Sequence, residues 1–290
     1  MNTGARTTSR LYGAAVHDLR ATNGLLTGAA GGLGRHIARA LAANGVRLVL
    51  SGRDPRPLER LADELRQRGA VAEIVLSDLS DLEQAGELIE RAQEAIGPLD
   101  LLVNNAGIEV AARYPAFTDA ELASIAQVNL VAPMVLTRHV LPGMLARGRG
   151  HIVTVSSLAG RGGNAYNALY ATTKAGLVGL TRSLRAELEG TPVGASVICP
   201  GFVARDGMYA RMQEYGIDAP PLLRAVEPER IGAAVIEAIV RDRPDVLVTG
   251  WPMRPLLGVQ ELAPRLAERI IAATGAAGFF AELAARSGRT

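Results

Sequence analysis

Tyr170 and Lys174, in the segment NALYATTKAGL, are the residues whose chemistry and spacing most clearly suggest catalysis. Lysine and arginine together number 31, and Lys174 is the only lysine among them. Residues four positions apart lie on the same face of a helix, one turn from each other. A nearby ammonium favours a phenolate and lowers a tyrosine pKa that is otherwise about 10, whereas a planar guanidinium is not an equivalent substitute. We therefore expect Lys174 to lower the pKa of Tyr170, so that the tyrosine can transfer a proton near neutral pH.

A second chemical feature is the glycine-rich segment LLTGAAGGLGRHIA, with glycines at positions 28, 31, 32 and 34 between an apolar run and a helical pattern. Free backbone N–H groups and the helix dipole at such a junction favour an anion such as a pyrophosphate. Glycine lets the backbone approach the ligand closely. The spacing differs from the G-x-G-x-x-G dinucleotide fingerprint, so an ordinary turn between strand and helix is an alternative.

The end of the next apolar run, LSGRD, bears on the choice of dinucleotide. An acidic residue that holds the ribose 2′-hydroxyl is expected about 20 positions after the glycine turn. Gly52 occupies that place and Arg53 follows it. An arginine can bind a 2′-phosphate through a forked, charge-assisted contact, which predicts a preference for NADP(H), with NAD(H) still possible. The alternative is that Arg53 is simply solvated in a loop.

From residue 24 onward, short apolar runs alternate with longer helical patterns. The runs are almost continuously apolar, which is typical of strands buried on both faces of a parallel sheet. The order of elements indicates right-handed β-α-β crossovers. We therefore predict an α/β fold: a Rossmann-like, doubly wound, mostly parallel sheet of about seven strands with helices on both faces.

The two ends of the chain do not follow this alternation. Residues 1–20 show no clear periodicity and are predicted to form an arm, outside a dinucleotide-binding and catalytic domain over residues 21–250. Residues 251–290 are predicted to form a helical extension of two short amphipathic helices, with Leu262, Leu266 and Ile270 repeating every four residues. This extension can pack against the core or a sister subunit; a lid over an apolar substrate or a membrane-surface contact is the alternative.

Composition excludes several classes of protein. The net charge is only +2, with the arginines dispersed among acidic residues, so no nucleic-acid partner is expected. Cys199 is the single cysteine, and the four histidines show no paired metal spacing, so neither a disulfide nor a metal site is predicted. The sequence shows no secretory leader and no run of about 18 apolar residues, and a cytoplasmic location is expected.

Several segments, taken in order, resemble the short-chain dehydrogenases/reductases over residues 24 to about 250. These are TGAAGGLG, the SDLSD that contains Asp78, NNAG at 104–107, VNL, VSS, YATTK and CPG at 199–201. The resemblance implies a catalytic set of Asn129, Ser157, Tyr170 and Lys174. Ser157 is chosen over Ser156 because it precedes Tyr170 by 13 residues, as in that family. The full set expected to contact the cofactor is Gly28, Gly32, Leu33, Gly34, Arg53, Asp78, Leu79, Asn105, Ala106, Gly107, Tyr170, Lys174, Pro200, Gly201 and Val203.

The resemblance implies hydride transfer between a nicotinamide and a carbonyl or alcohol carbon. Tyr170 would act as the general acid or base, Ser157 would hydrogen-bond the same oxygen, and Asn129 would anchor a water of a proton relay. A homodimer or homotetramer is also implied. The alternative is a non-catalytic sensor or scaffold that binds NAD(P) on the same fold. A serine hydrolase is not expected, because the chain has no G-x-S-x-G motif.

The sequence departs from the family pattern after CPG, where the family usually has a threonine about four residues on. Arg205 stands near that place. The following segment, residues 204–228, is rich in methionine, tyrosine and proline, which predicts a mobile, fairly apolar cover over the substrate. We therefore expect a bulky, largely apolar carbonyl or alcohol substrate.

Overall fold

The computed structural model of the protein describes residues 18–163, 165–205, 224–273 and 276–286, without the side chains of residues 276, 277 and 279. Seven strands within these ranges form one parallel sheet in the order β3-β2-β1-β4-β5-β6-β7. They are β1 Asn23–Thr27, β2 Arg47–Gly52, β3 Ala72–Leu76, β4 Leu101–Asn104, β5 Gly150–Val155, β6 Val193–Pro200 and β7 Asp245–Val248. The predicted doubly wound parallel sheet is confirmed.

Helices cover both faces of the sheet. They are α1 Gly32–Ala43, α2 Pro55–Gln67, α3 Leu82–Ile96, α4 Asp119–Ala126, α5 Ala132–Arg147, α6 Ala168–Glu187 and α7 Glu229–Val240. Apolar side chains of α1, α2 and α7 form one core with the sheet, and those of α3, α5 and α6 form the other. Every residue of β1, β5 and β6 is buried, which explains the uninterrupted apolar runs in the sequence.

The crossovers reverse direction between β1 and β4. The chain moves outward from β1 to β2 and β3, then returns to the centre and continues through β4 to β7. The loops that follow β1 and β4 therefore diverge and leave a crevice at the carboxyl edge of the sheet. This crevice is where a ligand site is expected in open α/β sheets.

The longest helical stretch in the described residues is Asp119–Arg147, in which α4 and α5 are joined by a π-helical turn, Gln127–Val131. By length and composition it could cross a membrane, with a mean hydropathy of 1.3 in its most apolar window, although the sequence had suggested no such run. Leu136, Val140 and Met144 on its inner side belong to the core beneath the sheet. Packing thus accounts for the inner side of α5, and 39% of the most apolar window is buried.

The carboxy-terminal residues contain three helices where two were predicted: α8 Arg254–Leu262, α9 Pro264–Ala273 and α10 Ala276–Arg286. The backbone leaves helical geometry at Ala263, immediately before Pro264. Leu262 and Leu266 are 89% and 51% exposed, so these two side chains of the apolar stripe do not pack against the core of this chain. Packing of the stripe against a sister subunit stays a prediction. At the other end, residues 1–17 of the predicted arm lie outside the described residues, and Leu19 is part of the core.

Candidate active site

A cavity of about 680 Å³ opens at the carboxyl edge of the sheet, in the crevice between the β1 and β4 loops. The predicted site residues that line it are Gly28, Gly32, Leu33, Gly34, Arg53, Asp78, Leu79, Asn105, Ala106, Gly107, Ser157, Tyr170, Lys174, Pro200, Gly201 and Val203. They come from the loops after β1 to β6 and from α6. Asn129 lies just behind this lining, hydrogen-bonded to the backbone of Ile108, which does line the cavity.

Two glycines of the first loop are required by its geometry. Gly28 has a φ of +61°, and a Cβ there would lie 2.8 Å from the Cα of Ala106. A Cβ on Gly34 would lie 2.1 Å from the carbonyl oxygen of Gly28. The loop therefore folds tightly onto the start of α1, whose first N–H groups have no partner within the helix. This is a suitable seat for an anionic group.

The segment after β4 ties this loop to the centre of the sheet. The Thr27 hydroxyl accepts hydrogen bonds from the backbone N–H groups of Asn105, at 3.1 Å, and Ala106, at 3.2 Å. The side-chain amide of Asn105 donates to the carbonyl oxygens of Thr27 and Gly28, at 3.0 and 3.1 Å. The NNAG motif thus fixes the glycine turn relative to the cavity floor.

Arg53 and Asp78 stand together at the far end of the cavity. Two hydrogen bonds from Ser80, one from its N–H and one from its hydroxyl, lower the pKa of the Asp78 carboxyl, and the positive charge of Arg53 adds to this effect. The carboxylate is therefore ionised and held in a turn. Arg53 is exposed and its side chain borders the cavity.

Tyr170 and Ser157 meet at the other end of the cavity, where β5 gives way to α6. Both are predicted catalytic residues that line the cavity, and the Ser157 side chain is close enough to lower the pKa of Tyr170. The Ser157 hydroxyl also accepts a hydrogen bond from the N–H of Ala159 at 3.1 Å, which fixes its orientation. Ser156 points elsewhere, because its hydroxyl donates to the carbonyl oxygen of Lys174 at 2.8 Å. Of the two serines, Ser157 is the one whose side chain affects the pKa of Tyr170, and its catalytic role stays a prediction.

Lys174 lies one helical turn after Tyr170, and its Nζ is 5.6 Å from the centre of the tyrosine ring. The ammonium is buried and donates a hydrogen bond to the carbonyl oxygen of Val155 at 2.9 Å. Burial lowers the pKa of Lys174 to about 8, while Cys199 and Glu109 act in the opposite direction.

Asn129 sits in the π-helical turn between α4 and α5. Its side chain accepts from the N–H of Ile108 at 2.7 Å and donates to the carbonyl of the same residue at 2.8 Å. It also donates to the hydroxyl of Thr173 at 3.2 Å, next to Lys174. A Cβ on Gly107 would lie 3.3 Å from the Lys174 Nζ and 3.6 Å from the Asn129 Oδ1, so these two groups share one small space. π-Turns often occur at functional sites.

The expected lowering of the Tyr170 pKa is not found. Burial raises the pKa of Tyr170 well above its usual value, and the negative charge of Glu109 raises it further, against a smaller opposite effect of the Ser157 hydrogen bond. Lys174, whose Nζ lies 5.6 Å from the centre of the ring and donates to the Val155 carbonyl oxygen, does not offset these effects. The tyrosine is therefore a protonated donor over the neutral range in this structure.

Comparisons with known proteins agree with this arrangement. Residues 23–215 match the short chain dehydrogenase family. The chain is 38% identical over 251 residues to the ketoacyl reductase HetN of a Nostoc species, which covers 85% of this chain and 86% of that protein. It is 34% identical over 235 residues to a ketoacyl reductase of the granaticin polyketide synthase of Streptomyces violaceoruber, covering 75% of this chain and 86% of the relative. The chain belongs to the short-chain dehydrogenase/reductase family.

Solved structures of this family have the same fold. A short-chain dehydrogenase from Burkholderia phymatum in complex with NAD superposes with a TM-score of 0.76 at 27% identity, covering 86% of this chain and 96% of the other. A variant of the actinorhodin polyketide ketoreductase with NADPH gives a TM-score of 0.74 at 29% identity, covering 79% and 96%.

The departure from the family pattern at Arg205 can now be located. Arg205 has a φ of +59° and its guanidinium forms an ion pair with Glu227 at the surface. It does not border the cavity, so it does not replace a threonine there. Most of the predicted substrate cover, residues 206–223, lies outside the described residues.

The sequence did not single out two sets of residues that line the cavity. The first is Glu109, a carboxylate close to Tyr170, which accepts a hydrogen bond from the buried amide of Asn167 at 2.9 Å. Its one signal was an acidic residue in the apolar segment after NNAG. The second is a group of apolar residues that includes Trp251, Leu256 and Leu257; Ile270, which also borders the cavity, was already named as part of the apolar stripe. No cluster of metal-ligating side chains occurs in the described part of the chain.

Proposed function

We propose that this protein is an oxidoreductase that uses NADPH in preference to NADH and transfers a hydride to the carbonyl carbon of a bulky, largely apolar substrate, or removes one from the corresponding alcohol. The observation that carries the proposal is that Tyr170, Ser157 and Lys174 line one cavity together, with the buried Lys174 Nζ 5.6 Å from the centre of the Tyr170 ring. The relatives named ketoacyl reductases support a β-ketoacyl group as a leading substrate class.

The residues present fit a dinucleotide. The tight turn from Gly28 to Gly34 leaves room for a pyrophosphate against the start of α1, because side chains there would collide with the backbone. The hydrogen bonds that Ser80 donates to the Asp78 carboxylate shape the place for an adenine ring. Arg53 offers a charged fork to a ribose 2′-phosphate, and no acid at position 52 repels it.

Each catalytic residue then has a chemical role. A reduced nicotinamide, when bound, supplies the hydride. Tyr170 donates the proton that the developing alkoxide requires, and its raised pKa keeps that proton in place until the charge forms. Ser157 hydrogen-bonds the same oxygen and orients it. The Lys174 ammonium provides positive charge in a dry site where electrostatic effects are strong.

Asn129 is the proposed anchor of the proton supply. Its contacts to the Ile108 backbone and to Thr173 hold the amide behind Lys174, in the position from which a water-mediated relay would start. In the reverse direction the same groups would accept the alcohol proton.

The test measures the oxidation of NADPH and, in parallel, of NADH in the presence of a panel of β-ketoacyl thioesters, ketones and aldehydes. The loss of nicotinamide absorbance reports the reaction. We expect turnover with at least one apolar carbonyl, faster with NADPH. Cofactor that binds tightly while neither the panel nor the corresponding alcohols react would favour the sensor alternative and contradict the proposal.

We further expect a homodimer or homotetramer located in the cytoplasm. Light scattering coupled to size-exclusion chromatography measures the oligomeric state, and a monomer at micromolar concentration would contradict the expected homodimer or homotetramer.

A further inference from the structure

One side of the cavity is built by the carboxy-terminal helices, which lie outside the segment that matches the family. The residues of this C-terminal wall are Trp251, Met253, Leu256, Leu257, Ile270 and Phe280. The family match ends at residue 215, so these residues lie beyond the matched segment.

The wall extends from the mouth of the cavity to its interior. Trp251 and Ile270 are 52% and 37% exposed and border the opening. Leu257 is half-buried, and Met253 and Phe280 are buried. A ligand that enters past Trp251 therefore meets apolar surface along its whole path.

The wall offers almost no polar group to a ligand. Gln260 is the polar side chain that borders the cavity from these helices, and its amide donates to the carbonyl oxygen of Arg161 at 3.3 Å. The facing side of the cavity is the opposite in character, with the hydroxyls of Ser157 and Tyr170 and the carboxylate of Glu109. A substrate that fits both sides has one polar, reacting end and one apolar remainder.

The wall is held against the two segments that flank the catalytic residues. The rings of Phe280 and Phe202 lie 6.4 Å apart, and Phe280 also packs with Tyr166. Phe202 follows the Pro200–Gly201 turn, and Tyr166 precedes the helix that carries Tyr170. The distance from the wall to the reacting oxygen is therefore set by direct packing.

We propose that the C-terminal wall binds an unbranched aliphatic chain attached to the reacting carbonyl, and that it selects substrates by the length of that chain. The proposal rests on the proposed function for the identity of the reacting group. Because burial of each methylene removes apolar surface from water, affinity rises with chain length until the cavity is filled.

The experiment uses the full chain with saturating NADP⁺ and a series of 2-alkanones from 2-butanone to 2-decanone. Trp251 is the only tryptophan of the protein and stands at the cavity mouth, so its fluorescence reports binding without turnover. We expect the dissociation constant to fall by up to about fourfold for each added methylene. The value of kcat/KM with NADPH is measured on the same series.

Two variants of the wall and one control on the same helix sharpen the test. In Leu257→Ser the dissociation constant should fall by less than about twofold for each added methylene. In Leu257→Phe it should stop falling at a shorter alkyl chain than in the wild type. Leu262 is 89% exposed and does not border the cavity, so Leu262→Ser should give the same dependence of the dissociation constant on chain length as the wild type. Circular dichroism melting shows whether each variant is folded.

The outcomes separate this inference from the proposed function. The proposal that the wall binds the aliphatic chain would be contradicted by a wild-type dissociation constant that does not depend on chain length. It would also be contradicted if Leu257→Ser left that dependence unchanged. Chain-length-dependent binding without any turnover would support the wall and contradict the proposed reaction. Turnover with a dissociation constant that does not depend on chain length would support the proposed reaction and contradict the proposal that the wall binds the aliphatic chain.

Discussion

The two halves of the cavity are built in different ways. The half formed after β1 to β4 consists of backbone held by local hydrogen bonds, such as those between Thr27, Asn105 and the glycine turn. The half formed by β6 and the carboxy-terminal helices consists of apolar side chains, with Phe280 packed on Phe202. The first half is specified by short sequence motifs, whereas the second is built from apolar side chains that no motif marks.

The difference indicates a division of labour. Backbone N–H groups and fixed charges define one geometry and one kind of ligand, so changes there should abolish binding or chemistry. Apolar surface distinguishes ligands gradually, by about 0.8 kcal/mol of binding free energy for each methylene. Changes in the wall should therefore alter which substrate is preferred more than whether the reaction occurs. The following predictions probe the first half and its junction with the second.

The largest effect is expected at the junction itself. Tyr170→Phe removes the proton donor but keeps the ring, and kcat should fall by about a thousandfold while NADP⁺ still binds. Steady-state kinetics and a cofactor titration measure the two quantities. Tyr114→Phe, at a tyrosine that is 60% exposed, is the control and should behave as the wild type. A similar loss in both variants would show that the effect is not chemical.

A methyl group in the glycine turn should impair binding of both dinucleotides. In Gly34→Ala the new Cβ meets the Gly28 carbonyl oxygen, so the loop must shift, at a cost of about 1–3 kcal/mol. Affinity for NADP⁺ and NAD⁺, measured by calorimetry, should therefore fall together by about tenfold or more.

The matched control for that change is Gly179→Ala on α6, where a Cβ meets no atom within 4 Å. It should leave cofactor affinity unchanged and stabilise the helix by up to about 1 kcal/mol. Unchanged affinity in Gly34→Ala would refute the assignment of the turn as the pyrophosphate seat.

Cofactor preference should change at the far end of the cavity. Arg53→Ala removes a charge-assisted contact and should weaken NADPH by about tenfold or more, with little change for NADH. Gly52→Asp is a complementary variant, because a Cβ there meets only the Leu58 side chain, at 3.5 Å, and the new carboxylate would favour the ribose hydroxyl of NADH. Equal losses for both cofactors in Arg53→Ala would contradict the role of the arginine.

The smallest effect is a shift in the pH profile. The Glu109 charge raises the pKa of Tyr170 and of Lys174, so Glu109→Gln should lower both. Lys174 has the lower pKa of the two, about 8, so the loss of its positive charge should set the alkaline limb of the profile, and this limb should move to lower pH by on the order of one unit. The pH dependence of kcat/KM measures this, and a shift to higher pH would show that Glu109 acts in another way.

The sequence predicted the first half of the cavity better than the second for physical reasons. The glycine turn, NNAG and the spacing of Ser157, Tyr170 and Lys174 are local patterns, and the seven-stranded sheet follows from buried apolar runs. The pKa of Tyr170 was predicted in the wrong direction, because burial depends on the whole fold and outweighs a lysine four residues away. The stripe of Leu262, Leu266 and Ile270 was predicted to pack against the core or a sister subunit. Within this chain Leu262 and Leu266 are exposed, whereas Ile270 borders the cavity.

The central claim is that this cavity transfers a hydride and that Tyr170 supplies the accompanying proton. It is tested most directly by single-turnover reactions with NADPH deuterated at both C4 positions, in which mass spectrometry follows the label into the alcohol. We predict deuterium on the carbinol carbon with the wild type, and formation of the same product about a thousandfold more slowly with Tyr170→Phe. Absence of labelled alcohol from every carbonyl tested, or equal rates in the two proteins, would contradict the account.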